Sequence, residues 1–325
     1  MKFFHATNID FLRWRWHAMA LSAVVILTGL VAVFTQGLPL GIDFSGGTIV
    51  VLKFEKPVTE QAVRDALGGL PGEKVVQQYG QSGDHEILVR LPELVTEQGA
   101  SLEQGARAVL QAIEQASFGK FEVLSTEIVG PVIGKDLQRK GIYATLASIG
   151  GILVYIALRF RLSFAVGAVV ATFHDILVTV TFLTFFGYEL SLNVVAALLA
   201  ITGYSVNDTI VIFDRVRENL RSMRRDTLAD VVNKSVNQTL GRTIITAGTT
   251  FLAVLALFLF GGEVLHGFAF TMLVGIITGT YSTVFIAAAI AIIMSQVRGH
   301  GRARVEPAVA AETKSKKANS KVRAS

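Results

Sequence analysis

A carboxylate stands in the middle of a long apolar segment. Asp208, within residues 203–209 (GYSVNDT), has hydrophobic sequence on both sides. A carboxylate at the centre of a bilayer costs about 2.5–3.5 kcal/mol on insertion scales, so something must offset that cost. At helical spacing, Asp208 shares a face with the hydroxyl of Tyr204 and the cation of Arg215. Two interpretations stay open: Asp208 titrates on a proton path that includes Tyr204 and Asn207, or it is a fixed hydrogen-bonded strut between helices.

Two other polar sites lie in apolar sequence. Arg242 precedes a hydroxyl-rich segment, and it either pairs with Asp208 or extends toward the lipid headgroups. His174 and Asp175 are adjacent near the middle of another apolar run, which adds a second carboxylate for the bilayer to accommodate. Because histidine titrates near physiological pH, His174 is a candidate for the same proton path. A histidine that is simply hydrogen-bonded within a helix bundle is the commoner case.

The sequence lacks the motifs of common enzyme sites. It has no G-x-x-x-x-G-K-[ST] phosphate loop, no G-x-S-x-G nucleophile motif and no cysteine. Its histidines are scattered, and no two stand four residues apart as metal ligands on one helix face. We therefore predict that the chain is not an enzyme and holds no metal.

The composition indicates that most of the chain lies in a membrane. Of 325 residues, 51% are hydrophobic and 17% are charged, whereas soluble domains carry about 25% charged residues. The net charge is +5, but Lys and Arg cluster beside apolar runs and at the C-terminus, as topology signals do. An ordinary soluble enzyme is excluded, and nucleic-acid binding is the weaker explanation of the charge.

Runs of about 20 apolar residues predict transmembrane helices. Six runs are present, at 17–36, 141–159, 164–186, 190–212, 244–262 and 267–295. The first is interpreted as a retained helix, because no small-x-small cleavage pattern precedes Leu38. The other five form a bundle within residues 131–298. The charged connection 214–241 has the apolar spacing of an amphipathic helix on the membrane surface.

Positive charge beside the spans predicts their orientation. Lys and Arg are concentrated in residues 1–16, around Arg159 and Arg161, in the connection 214–241 and in the tail 299–325. The connections after the third and fifth spans carry neither residue type. The positive-inside rule therefore predicts that both termini are cytoplasmic. The tail has no periodic apolar face and is predicted to be disordered.

The large outside segment, residues 38–130, has the pattern of a small α+β domain. Strands and helices alternate as βαββαβ, over residues 48–54, 59–68, 75–79, 86–91, 101–116 and 121–129. This order predicts a ferredoxin-like module, and it says nothing by itself about function.

The last span carries a small residue every four positions. Gly267, Gly275 and Gly279 belong to this stripe. Small stripes let helix backbones approach closely, so we expect this face to pack against another helix of this chain or of a partner.

Three segments resemble the signature segments of the SecD/SecF family of protein-export membrane proteins, on its SecF side. They are residues 41–48 (GIDFSGGT), residues 203–215 (GYSVNDTIVIFDR) and residues 242–244 (RTI). The second is long and specific, whereas the first is shared by both sides of the family. Its motif residues here are Gly41, Asp43, Gly46 and Gly47.

The resemblance implies one half of a SecD–SecF pair, related to the resistance-nodulation-division transporters. Such a pair uses the proton motive force to promote export of preproteins through the SecYEG channel of the bacterial inner membrane. On this resemblance Asp208 and Arg242 match positions thought to support proton passage, with protons as the coupling ion and no cofactor. The expected partners are a SecD-like subunit, SecYEG, the preprotein and membrane lipid, and no nucleic acid. The outside domain would then be periplasmic and would move against the emerging polypeptide.

Two other function classes stay open. One is half of a small-molecule or lipid exporter of the same superfamily, which would need a substrate pocket. The other is a non-transporting assembly scaffold, in which Asp208 would not need to titrate.

Overall fold

The computed structural model describes residues 7–72, 74–80, 83–91, 102–160 and 162–297. The predicted tail 299–325, Arg161, the first residue of the predicted helix 101–116 and the tip of the predicted turn after residue 80 lie outside these residues.

Most of the chain is helical, with one small sheet near the N-terminus. In chain order the elements are α1 (Arg15–Gln36), α2 (Ile42–Ser45), β1 (Gly47–Phe54), α3 (Glu60–Ala66), β2 (Val75–Tyr79), β3 (Glu86–Leu91), α4 (Leu102–Gln115), β4 (Phe121–Val129), α5 (Pro131–Arg159), α6 (Leu162–Phe185), α7 (Leu192–Ser222), α8 (Leu228–Phe260), α9 (Glu263–Ser282) and α10 (Ala288–Val297). A 3₁₀ turn, Leu12–Trp14, leads into α1, and a π-helical turn, Thr283–Ala287, joins α9 to α10. Among the described residues, six continuous helical stretches are long and apolar enough to cross a membrane, which confirms the six predicted spans.

The predicted surface helix over 214–241 is not a separate element. Helix α7 continues to Ser222, and α8 begins at Leu228. The side chains of Thr227 and Asp230 form a capping box that starts α8. Val231, Val232 and Val236 of this connection are buried in one core cluster with the end of α7, and Leu228 packs against that cluster. Their helical spacing therefore reflects packing between two helix ends rather than binding to the membrane surface.

Three spans form the centre of the bundle. Half or more of the most apolar window of α6, of α7 and of the α9–α10 stretch is buried within the chain, whereas α1, α5 and α8 bury less than a fifth. The small-residue stripe of α9 lies against α7: a Cβ on Gly275 would stand 2.2 Å from Ile201, and one on Gly279 would stand 3.0 Å from Ser205. A Cβ on Gly267 would stand 3.4 Å from a methyl of Val194, also on α7.

The α+β domain has the predicted βαββαβ order. Its antiparallel sheet has the strand order β2-β3-β1-β4. Helices α3 and α4 share one core cluster with the strands, formed by residues such as Val63, Val109, Leu52 and Val89. Thr59 caps α3 by accepting a hydrogen bond from the Ala62 amide at 3.3 Å.

Candidate functional site

Asp208 is buried within the membrane-spanning part of α7. It lies 16 residues after Leu192, about 24 Å along the helix axis. Its side chain is 4% exposed, and Oδ2 has no hydrogen-bond partner among the described residues. A buried unpaired polar atom costs about 1–3 kcal/mol, more when the group is charged. Asp208 is therefore held where neither form of the carboxyl is fully satisfied by the chain.

Arg242 stands on the neighbouring helix α8 at a similar depth. It lies 18 residues before Phe260, about 27 Å from the same end of the bundle. Asp208 and Arg242 interact electrostatically, although the described residues show no direct ion pair between them. The side chain of Arg242 is exposed at the surface of the chain. Arg215 was predicted to share a helix face with Asp208. Its guanidinium binds Gln238 and Glu218 rather than Asp208.

Tyr204 lies near Asp208, whereas Asn207 does not face the interior. The Tyr204 hydroxyl is buried and approaches Thr250 without the geometry of a hydrogen bond. Asn207 is exposed on α7. Thr243, which sequence analysis did not single out, has a buried hydroxyl with no partner among the described residues. The unpaired hydroxyls and carboxylate thus belong to α7 and α8, two helices in contact with each other.

His174 and Asp175 belong to a second, fully bonded cluster. His174 Nδ1 lies 3.0 Å from Asp175 Oδ1, and Ser205 of α7 donates to Asp175 Oδ2 at 2.5 Å. His174 Nε2 lies 2.8 Å from the Ser22 hydroxyl of α1, which is 3.2 Å from the Tyr281 hydroxyl of α9. Both ring nitrogens and both carboxylate oxygens are therefore engaged, and the cluster joins four helices.

The two sites are neighbours without a described hydrogen bond between them. Ser205 precedes Asp208 by about one helical turn. The sequence revealed His174 and Asp175 because charge is rare in apolar runs. It gave no comparable signal for Ser22 or Tyr281, since single hydroxyls are common in transmembrane helices. Among the described residues, no group of three or more His, Asp or Glu side chains is arranged to hold a metal ion.

The glycine-rich segment after α1 attaches to the start of α7. Asp43 Oδ2 accepts a hydrogen bond of 2.8 Å from the amide of Leu192, the first residue of that helix. The first amides of a helix lack internal partners and carry partial positive charge, so this carboxylate stabilises the helix start. Gly46 and Gly47 have φ angles of 75° and 133°, which other residues adopt only with strain. These two glycines therefore allow the turn between α2 and β1.

Gly41 allows the same segment to approach the loop before α7. Its amide donates to the carbonyl of Leu190 at 2.8 Å, and a Cβ there would stand 3.2 Å from that carbonyl oxygen. On the other side, a Cβ on Gly134 of α5 would stand 3.1 Å from the carbonyl oxygen of Phe44. The segment is therefore packed between two spanning helices.

Residues 40–47 and the loop before α7 form a junction between the α+β domain and the bundle, and Arg90 connects the sheet to it. From β3, its guanidinium forms an ion pair with Glu189 in the loop before α7. It also donates to the carbonyl of Leu40 at 2.7 Å and to the Ser45 hydroxyl at 3.0 Å. Sequence analysis missed this residue, because an arginine in a strand of an outside domain is usually solvated. One side chain thus bonds the α+β domain to both parts of the junction.

Two family models of known proteins match this chain, one over the segment after α1 and one over the bundle. Residues 109–297 match the family model described as "Protein export membrane protein SecD/SecF, C-terminal", and residues 31–58 match the "SecD/SecF GG Motif". The chain belongs to the SecD/SecF family. The SecD/SecF matches therefore include the Asp43 cap, the Gly46-Gly47 turn and all five spanning stretches described after the α+β domain.

Several SecF relatives are similar to almost the whole chain. A "Protein translocase subunit SecF" from Calditerrivibrio nitroreducens is 44% identical over 90% of this chain and 96% of its own length. The protein of the same name from Escherichia coli O157:H7 is 40% identical over 90% and 89%. A crystal structure of SecDF from Thermus thermophilus, described as a translocon-associated membrane protein, matches with a TM-score of 0.79 and 34% identity. The match covers 91% of this chain and 40% of that SecDF chain.

Proposed function

We propose that the chain is the SecF-type subunit of a SecD–SecF pair that uses the proton motive force to promote protein export through SecYEG. The observation that carries this proposal is Asp208, a buried carboxylate in a spanning helix with an oxygen unpartnered among the described residues. Protons are the coupling ion, and we propose no other cofactor, no enzymatic reaction and no nucleic-acid partner. The name that the SecF relatives carry, protein translocase subunit, supports this role.

The bonding of Asp208 favours a proton-exchanging group over a fixed strut. A structural carboxylate is expected to have both oxygens hydrogen-bonded, as Asp175 has. Asp208 Oδ2 is unpaired within the described chain, and the nearby cation of Arg242 interacts with it without direct contact. Such a carboxyl gains or loses a proton without breaking a helix–helix hydrogen bond at Oδ2. Arg242 would then favour release of the proton electrostatically.

The energy available from one proton is sufficient to bias a conformational equilibrium. Moving one charge through 100 mV yields about 2.3 kcal/mol, which corresponds to a population shift of about 50-fold. A periplasmic domain moved in this way would act on the emerging polypeptide without consuming ATP.

The path from Asp208 to the domain runs along α7. The helix that carries Asp208 begins at Leu192, whose amide is bonded to Asp43, and the loop before it binds Arg90 of β3. A displacement of α7 therefore acts on the sheet through side-chain bonds rather than through a flexible linker.

A SecD-like subunit is the proposed partner at the open side of α7 and α8. Asn207 and Arg242 are exposed there at the level of the spans, and α8 is little buried within the chain. Polar groups inside a membrane almost always face protein or water rather than lipid. A second helical bundle, together with SecYEG and the preprotein, would cover them.

The proposed location is the bacterial inner membrane, with both termini in the cytoplasm. The N-terminal segment hydrogen-bonds to α8, where Ile9 donates to Asn237 at 2.9 Å and Phe11 donates to Asn233 at 3.0 Å. The ends of α5 and α7 meet at the same side through Arg159 and Asp214, 3.1 Å apart. The basic segments thus share one end of the bundle, which supports the positive-inside assignment.

The proposal is tested with SecYEG vesicles that contain this chain together with its SecD-type partner. We expect an imposed proton gradient to speed completion of preprotein translocation only when both subunits are present. Vesicles that lack either subunit serve as controls. An equal response to the gradient without this chain would overturn the proposal, and gradient-driven efflux of a small molecule without any effect on translocation would favour the exporter.

A further inference from the structure

A cleft lies where the end of α5, the start of α6 and the last turns of α7 meet. Its volume is about 470 Å³, within the usual range for small-ligand sites of about 300–1,000 Å³. The buried rings of Phe164 and Phe213 form its floor, with their centroids 4.9 Å apart. Phe160 lies beside them, 6.0 Å from Phe213. The floor is therefore aromatic and rigid.

The rim of the cleft is cationic. It is lined by the arginines Arg159, Arg217 and Arg221. Arg217 and Arg221 are four residues apart on one face of α7, an arrangement in which like charges destabilise the helix. An anion between them would remove that repulsion.

The acids next to these arginines are engaged with other cations. Asp214 pairs with Arg159 at 3.1 Å, and Glu218 pairs with Arg215 at 2.6 Å. Within the described parts of the chain, Arg217 and Arg221 form no ion pair. Two guanidinium groups thus line the cleft without a carboxylate partner among the described residues.

The cleft opens beside surface that faces lipid. Leu158 is 85% exposed and Leu162 is 52% exposed, and both lie on spanning helices next to the rim. A ligand that combines an anionic group with apolar chains would place its charge on the arginines and its chains along these leucines.

We propose that this cleft binds the headgroup of an anionic phospholipid. Guanidinium groups bind phosphate through two parallel hydrogen bonds, and basic pockets between transmembrane helices suit anionic headgroups. The positive-inside rule alone requires arginines in this connection, but it does not require them to line a cleft with an aromatic floor. The site is independent of the proposed export function, so its test needs no export assay.

The test uses the full chain purified in neutral detergent, with phosphatidylglycerol as the probe and native mass spectrometry or a fluorescent lipid analogue as the readout. One arginine near an anionic surface contributes about fivefold in affinity. We expect the double variant Arg217→Gln, Arg221→Gln to bind phosphatidylglycerol at least about tenfold more weakly. The matched control is Arg225→Gln, which removes an exposed arginine from the same connection, outside the cleft. It should bind as the unsubstituted chain does.

Comparison probes and a second double variant separate the outcomes. Phosphatidylcholine should bind much more weakly, and millimolar inorganic phosphate should not displace phosphatidylglycerol. The variant Arg217→Lys, Arg221→Lys keeps both charges but loses the planar guanidinium, so it should bind more strongly than the double glutamine variant and more weakly than the unsubstituted chain. Binding above the double glutamine variant also shows that the fold is intact. Equal losses for Arg225→Gln, equal binding of phosphatidylcholine, or displacement by inorganic phosphate would each overturn the lipid site. Unchanged lipid binding with lost assembly of the partner subunit would identify a protein contact instead.

Discussion

Asp208 and Asp175 show how two carboxylates in similar apolar sequence take different environments. Asp175 has both oxygens bonded, to His174 and to Ser205, and so its geometry is that of an interhelical connector. Asp208 is equally buried but has an oxygen without a partner in the described chain. The difference lies in which hydroxyls and rings the neighbouring helices supply. We therefore propose Asp208 as the first candidate for proton exchange and the His174 cluster as a secondary one.

Arg242 provides the residue-scale prediction. If its cation acts on Asp208, Arg242→Lys should lower export activity, because an ammonium on a flexible stem does not hold its charge at the position of the guanidinium. Removing only the cation by Arg242→Ala should destabilise the protein more than the double variant with Asp208→Asn, because a buried charge left alone is the costlier state. Export activity and thermal stability in detergent measure the two effects.

The result for Arg242 separates electrostatic action from headgroup contact. Full activity of Arg242→Lys, together with strictly additive stability effects of the two substitutions, would show that Arg242 only anchors α8 at the interface. Non-additivity of about 0.5–3 kcal/mol would show direct coupling.

The sequence revealed only part of this site. Asp208, Arg242 and His174 were found because charge in apolar sequence is costly and therefore conspicuous. Ser22 and Thr243 were missed, since a hydroxyl in a helix normally bonds its own backbone and carries no positional signal. Whether such a hydroxyl has a hydrogen-bond partner on another helix depends on how the helices pack, which the sequence pattern does not show.

At the scale of elements, the ion pair of Arg90 with Glu189 bonds the sheet directly to the loop before α7. We expect Arg90→Gln to lower stability by about 1–3 kcal/mol, because hydrogen bonds to charged groups have this size and the guanidinium makes several. It should also reduce stimulation of export, since the loop before α7 would lose its side-chain bond to β3. Thermal unfolding and the vesicle assay measure the two effects, and Glu189→Gln should repeat them more weakly.

A second ion pair in the same domain is the matched control for the junction. Lys53 and Glu86 are 2.8 Å apart across β1 and β3, with Lys53 exposed, and within the described residues their ion pair includes no group of the spanning helices. Lys53→Gln should have little effect on stability and leave export stimulation unchanged, because exposed ion pairs contribute little. A comparable loss of export stimulation in both variants would mean that any damage to the domain lowers stimulation. Arg90 would then have no specific role in coupling α7 to the domain.

Helix α6 depends on close approach to the π-helical turn after α9. A Cβ on Gly167 would stand 2.6 Å from the backbone oxygen of Ala287, whereas one on Gly150 of α5 would have no atom within 4 Å. Gly167→Ala should therefore destabilise the protein by about 1–3 kcal/mol through overpacking. Gly150→Ala should be neutral or stabilising, because it removes only backbone freedom. Melting temperatures in detergent compare the two, and equal stability would contradict this account of the packing.

The elements were predictable where a periodic pattern ran long enough. All six spans and the four strands follow from apolar runs and from alternation. The helix α2 was missed, because four residues, Ile42–Ser45, are too few to show a period. The surface helix was wrongly predicted because an apolar stripe looks the same whether it packs on lipid or on the end of α7.

At the scale of the whole molecule, the chain is a bundle with one domain bonded to one of its ends. The proposed topology predicts that a cysteine at Gln111, exposed on α4, reacts with an impermeant thiol reagent in intact cells. A cysteine at Arg225 should react only after the inner membrane is broken. Single cysteines are clean reporters here, since the chain has none of its own. The reverse labelling pattern would contradict the proposed orientation.

The molecule also presents a surface that suits a second bundle. The polar positions Asn207 and Arg242 are exposed at the level of the spans, and the chain spans 40% of the SecDF chain that it matches. We propose that the SecD-like subunit covers these positions. The sequence could not indicate this face, because exposure of a polar residue in a span becomes visible only after the helices are packed.

The most direct test of the central claim is the response of export to a proton gradient when Asp208 can no longer ionise. Asn is nearly isosteric with Asp and still hydrogen-bonds, so Asp208→Asn should insert and assemble normally. Completion of translocation in vesicles should become insensitive to the gradient. Asp136→Asn, at an exposed carboxylate paired with Lys140 on α5, is the control and should keep the full response. A full gradient response in Asp208→Asn would contradict proton coupling through this residue and would make Asp208 a structural carboxylate.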